Sequence, residues 1–161
     1  MDRPRVIVAL RDLESVESLI TLAIHLSSSM DAELVALHVV EVPAATPIDA
    51  EDEIIDHAGK EILAAAIRVA ERSSTKLSTE LLRAREAGEA IVGEAKDQGV
   101  ELLIIGHRRP HPNALTELLL GSTVLHVAHH APCRVIIQIP PPKPREVNLA
   151  RLTPPAENGV E

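Results

Sequence analysis

The residues of this chain that could do chemistry gather in one stretch, "GHRRPHPNALTELLLGST", running from Gly106 to Thr123. Gly106 follows the apolar run "VELLII", so the chain turns there with no Cβ to hold a ligand away from the backbone. At the far end, Gly121, Ser122 and Thr123 open a helical pattern. A helix start presents unpaired N–H groups and a positive dipole end, and hydroxyls add donors, which together make a seat for phosphate. The same residues also fit a structural role, with Ser122 capping its helix and Gly121 easing a turn. Between the two ends stand His107, Arg108, Arg109 and His111. Guanidinium groups bind phosphate bidentately, and a protonated imidazole adds charge, although the same arginines also suit an exposed turn. Pro110 and Pro112 each remove a backbone donor from the loop.

Other candidates carry less. His126 and His130 have the i, i+4 spacing of a divalent-cation chelate, with His129 beside them. No carboxylate or cysteine lies close in sequence, and histidines in a last helical turn also suit the dipole, so no metal site is assigned. Cys133, the single cysteine, cannot form an internal disulfide and reads as a small buried residue in "CRVIIQI". Asp12, Glu41 and Asp49 stand near loop ends, but nothing places a nucleophile beside a base, so no catalytic residue is assigned. His38, in "ALHVVE", is expected to pack or hydrogen-bond at the sheet edge.

The elements that position these residues alternate in type. "RVIVAL" (5–10) and "ELVALHVV" (33–40) are continuous apolar runs of the kind found in strands covered on both faces. Between them Val16, Leu19, Ile20, Ala23, Ile24 and Ser27 recur at helical spacing. Pro43 and Pro47 mark a loop. A helix follows from about Glu51, with Ile54, Ile55, Ala58, Ile62, Ala65, Ala66 and Val69 on its inner face. "KLSTELLRA" (76–84) alternates like an edge strand. The helix "GEAIVGEAKDQG", the strand "VELLIIG", a helix over about 122–129 and the strand "CRVIIQI" complete the order. Five strands interleaved with four helices predict an α/β fold: a mostly parallel, doubly wound sheet with helices on both faces. Ligands settle at the carboxyl ends of such strands, where the order reverses, which directs attention to the loops after Leu10, Val40 and Ile105.

Composition narrows the function classes. The 161 residues suit one domain, and the absence of Phe, Tyr and Trp leaves a core of Val, Ile, Leu and Ala. That absence removes the aromatic platform on which single-stranded nucleic acid stacks, and a net charge of -8 opposes a polyanion, so no nucleic-acid partner is expected. No apolar run approaches the roughly 20 residues needed to span a bilayer, and no membrane insertion is expected. The expected location is cytoplasmic. From Pro140 the composition shifts to "PPPKPREVNLARLTPPAENGVE", with six of the twelve prolines, which predicts a domain over 1–139 and a flexible tail over 140–161. A short docking role for "VNLARL" is the alternative.

The order "VIVAL", "ALHVVE", "REAGEAIVGEAKDQGVELLIIG" and "LLLGST.L..VAHHAPCRVII" resembles the universal stress protein family across about residues 5–139, with "HAPCRVII" the strongest match. The resemblance implies a sheet in the order 3-2-1-4-5 and a homodimer through the last strand, Cys133 to Ile139. It also implies a phosphate and ribose site of the form G-x-x-G-x(9)-G-[ST], completed by an Asp after the first strand and a Val in the second. Carried over, these are Gly106, Gly121, Ser122 and Val39. Two positions depart: Arg11 stands where the Asp belongs, with Asp12 one place later, and Arg109 replaces the second glycine. The loop is also two positions longer, with Gly121 fifteen residues after Gly106.

Two outcomes follow from the departures. Arg11, Arg108 and Arg109, with His107 or His111, replace backbone contacts by side-chain ones, or Arg109 and the insert fill the space. The reading favoured is a cytoplasmic regulatory or stress-response module with a degenerate nucleotide loop, not an enzyme, without a tight ATP site. The alternatives are a family member that binds ATP or AMP with Mg2+ and hydrolyses ATP slowly, and a regulatory partner of a membrane transporter. The last is suggested by the resemblance of "HVVEVP" and "TPI" to domains at the ends of permeases and antiporters.

Overall fold

The computed structural model describes residues 2–109 and 120–141. Pro110, His111, Pro112 and the tail beyond Pro141 lie outside them. The elements run β1 (Arg5–Ala9), α1 (Leu13–Met30), β2 (Glu33–Glu41), α2 (Glu53–Arg72), β3 (Leu77–Ala84), α3 (Ala87–Asp97), β4 (Leu102–Gly106), α4 (Ser122–His130) and β5 (Arg134–Gln138). The strands form one sheet in the order β3-β2-β1-β4-β5, and every pairing is parallel.

Side chains of a strand alternate between faces, and this alternation sorts the core into two layers. Val6, Val8, Leu34, Ala36, Leu102 and Ile104 face α1 and α2. Ile7, Ala9, Val35, Leu37, Leu103 and Ile105 face α3 and α4. Val6, Ile7 and Val8 are fully buried, as the uninterrupted apolar run of β1 requires. Burial of each large side chain stabilises the fold by about 1.5–3 kcal/mol before entropy is counted.

The α1 stripe read from the sequence is the buried face observed: Val16, Leu19, Ile20, Ala23, Ile24 and Ser27. α2 departs from expectation in its first turns. Asp52 caps this helix, accepting from the N–H groups of Ile54 (3.1 Å) and Ile55 (3.2 Å). The inner face begins only at Gly59, so Ile54, Ile55 and Ala58 are exposed rather than buried. Helical spacing alone shows which residues share a stripe, not how far the stripe lies over the sheet. At Gly59 a Cβ would stand 2.8 Å from Leu81 Cδ1 and 2.9 Å from His38 Cδ2. The glycine therefore lets α2 approach the end of β2 closely.

Candidate functional site

The order reverses between β1 and β4, and the crevice there is built by three short connections. β1 passes into α1 through Leu10, Arg11 and Asp12. The Leu10 N–H donates to the Leu37 carbonyl at 2.8 Å, and the Leu10 carbonyl accepts from His38 Nδ1 at 2.8 Å. His38 thus anchors the carboxyl end of β1, and its expected hydrogen bond is present. The bond requires the proton on Nδ1, because a carbonyl can only accept.

Asp12 is the N-cap of α1. Its Oδ1 accepts from the Ser15 N–H at 3.0 Å, and its Oδ2 pairs with the Arg108 guanidinium at 3.4 Å. Burial pushes the carboxyl up, but the Ser15 hydrogen bonds and the Arg108 charge outweigh it and hold it below the ordinary carboxylate value. Arg108 therefore reaches from the end of β4 to the end of β1, across the crevice. Arg11 is exposed, with no hydrogen bond or ion pair among the described residues.

Arg109 makes its hydrogen bond away from Asp12. Its Nε donates to the Pro140 carbonyl at 3.0 Å, on the β5 side of β4, away from β1. The His107 N–H extends the β4–β5 ladder by donating to the Gln138 carbonyl at 2.9 Å. Gly106 closes β4, and a Cβ there would lie 3.0 Å from Leu19 Cδ1. The missing Cβ thus serves the packing of α1 against the sheet.

At α4, Gly121 occupies the N-cap position and no side chain caps the helix. The structural alternative for Ser122, a helix cap, is not the arrangement observed. Ser122 is exposed and Thr123 half-buried at the first turn, where uncapped N–H groups and the dipole favour an anion. Val39 is half-buried on the α3/α4 face of β2, two strands from Gly106.

The histidines near the end of α4 pack against one another. His126 and His130 stack with ring centroids 4.4 Å apart, and the described residues hold no group of three or more metal-ligating side chains. Cys133 is half-buried, and burial pushes its thiol up, away from the reactive thiolate.

Arg83 and Arg85, two residues with structural roles at this edge, escaped the sequence reading, and Glu41 was noted there only as standing near a loop end. Arg83 of β3 donates Nε to the Ile48 carbonyl at 3.0 Å and binds the Ala50 carbonyl and the Asp56 carboxylate. Arg85 binds the carbonyls of Val42 (3.1 Å), Pro43 and Thr46 (2.7 Å). Glu41 accepts from the Ala87 N–H at 2.9 Å, so a carboxylate from β2 covers the start of α3. An open depression of about 630 Å3 lies beside Glu41, Pro43, Arg85 and Glu86. Its arginine holds the surrounding carbonyls through Nη1. The only sequence signal was the arginine spacing in "RAREAGEA".

Known proteins share this architecture. The model of the universal stress protein family matches residues 3–138. Universal stress protein A homolog 2 of Coxiella burnetii is 30% identical over 141 residues, covering 82% of this chain and 92% of the relative. A universal stress protein structure from Archaeoglobus fulgidus superposes with a TM-score of 0.71 at 19% identity, covering 85% of this chain and 94% of that one. A structure of the Archaeoglobus fulgidus universal stress protein in complex with dAMP gives 0.67 at 18% identity, covering 85% and 98%. With the parallel 3-2-1-4-5 sheet and the family match along nearly its whole folded part, this chain belongs to the universal stress protein family.

Proposed function

We propose that this chain is a cytoplasmic regulatory module whose phosphate loop holds no ATP tightly. One observation carries the reading: the Asp12 carboxylate is engaged by both the Ser15 N–H and Arg108, and Arg108 lies across the crevice. A nucleotide entering between β1 and β4 has to displace that ion pair. Pro110 and Pro112 carry no backbone N–H to aim at an anion, and Arg109 puts a side chain where the family pattern has a glycine. The test is thermal unfolding at about 1 mM ATP with Mg2+. A ligand at 100 times its Kd adds about 2.7 kcal/mol, several degrees in Tm, and the expected result is no such shift.

A second reading is favoured by the uncapped start of α4 and by the dAMP held by the Archaeoglobus fulgidus protein. Here a nucleoside monophosphate sits with its phosphate on the first turn of α4 and exchanges Asp12 for the anion as the partner of Arg108. Arg11 supplies further positive charge, and His107 a ring N–H donor. ATP hydrolysis belongs to this reading only if the triphosphate and Mg2+ bind, and phosphate release measures it.

The same proposal includes a homodimer formed through Cys133 to Ile139. β5 pairs only with β4, and Val135, Ile136 and Ile137 are half-buried, so this edge suits a second copy. The proposed domain spans 1–139, with 140–161 a Pro-rich extension in sequence beyond it. No described helix is long and apolar enough to cross a membrane, so action on a transporter would pass through a partner.

A further inference from the structure

The start of α2 carries a surface that the nucleotide reading leaves unused. Ile48, Ile54 and Ile55 are 44%, 83% and 38% exposed, three exposed isoleucines within eight residues of chain. It is a built surface, since Arg83 gathers the Ile48 and Ala50 carbonyls and the Asp56 carboxylate, and Asp52 caps the helix. Asp49, Glu51, Asp52 and Glu53 lie between Ile48 and Ile54 in sequence, and among the described residues Arg83 pairs with the Asp56 carboxylate alone. The patch therefore calls for an occupant that is apolar and basic together.

We propose that this occupant is the chain's own segment Lys143–Leu152, "KPREVNLARL". It offers Val147, Leu149 and Leu152 to the isoleucines, and Lys143, Arg145 and Arg151 against the single acid Glu146. The reach is sufficient. All strands are parallel, so β5 ends on the edge where the loop from β2 to α2 lies, and Arg109 holds the Pro140 carbonyl there. β5 and β3 are opposite edges of the sheet, four strand spacings or about 19 Å apart. The six residues from Pro142 to Val147 span up to about 20 Å when extended. Docking of this segment hides an apolar patch that would otherwise face water.

A chain without aromatic residues gives a clean reporter: Leu149→Trp in the full-length protein places one tryptophan in the segment. Docking predicts blue-shifted emission and protection from acrylamide, both unchanged on dilution. Adding Ile54→Asp is expected to shift emission to that of a solvated indole and to raise quenching several-fold, while circular dichroism reports an intact fold. About 1 M salt, with a screening length of about 3 Å, is expected to weaken the protection. Val147→Trp serves as a second reporter should the larger side chain at 149 disturb the contact. Solvent-like emission from both reporters, or emission indifferent to Ile54→Asp, overturns the proposal. Protection that disappears on dilution assigns the contact to a second copy and also overturns intrachain docking.

Discussion

Asp12 combines two interactions of different chemistry, and two substitutions separate them. Its Oδ1 caps α1 through the Ser15 N–H at 3.0 Å, while Oδ2 meets the exposed Arg108 at 3.4 Å. Asp12→Ala removes both, and loss of a cap costs about 1 kcal/mol, up to about 2. Asp12→Asn keeps the cap, because Asn and Asp cap nearly equally well, and removes only the charge. The ion pair has one partner 71% exposed and contributes about 0–1 kcal/mol. Asp12→Ala is thus expected to lower Tm by about 2–12 °C and Asp12→Asn by at most about 4 °C. The pH dependence carries a definite sign. The folded Asp12 carboxyl lies below its ordinary value, so its contribution is complete above the unfolded pKa near 4 and fades as pH falls through the folded value. Urea unfolding followed by circular dichroism at neutral and acid pH measures this directly. Equal losses in the Asn and Ala variants at neutral pH, or a gap between parent and Asp12→Ala that does not narrow toward acid, refute the reasoning.

Gly59→Ala is expected to destabilise the protein by about 1 kcal/mol despite the better helix former, because overpacking costs of about 1–3 kcal/mol exceed a propensity gain of about 1. The two contacts under 3 Å at this position decide the sign, and chemical denaturation reads it. Ile136→Lys places a charge on the half-buried edge strand and is expected to give a monomer in sedimentation equilibrium, with the parent chain dimeric. Under the reading in which a nucleoside monophosphate takes Arg108 as its partner, Arg108→Ala is expected to weaken AMP binding about 10-fold, a loss of about 1.4 kcal/mol, in isothermal titration. Unchanged or tighter binding shows instead that Arg108 only obstructs the crevice.

Fold-level features were legible because they follow from period and order. The burial of β1 on both faces, the α1 stripe and the edge character of β3 are direct consequences of the apolar pattern. The strand order came from the family resemblance rather than from the pattern. At the site, sequence placed Gly106 and the start of α4 correctly at strand and helix ends. It could not say which arginine crosses the crevice. Adjacent residues such as Arg108 and Arg109 leave the backbone in different directions, and one reaches Asp12 while the other reaches Pro140. Nor could it reveal that Leu19 uses the open face of Gly106, since that contact joins residues 87 positions apart. The exposed isoleucines of α2 escaped for a related reason, because a stripe continues in sequence after the sheet beneath it has ended.

The central claim, that the degenerate loop holds no ATP tightly, is tested most directly by the near-ultraviolet spectrum of the protein purified without added nucleotide. With no Trp or Tyr, the chain itself barely absorbs there, so any adenine dominates the signal. A chain without a tight ATP site shows no adenine absorbance band. Adenine nucleotide at one equivalent per chain, identified as ATP, contradicts the claim.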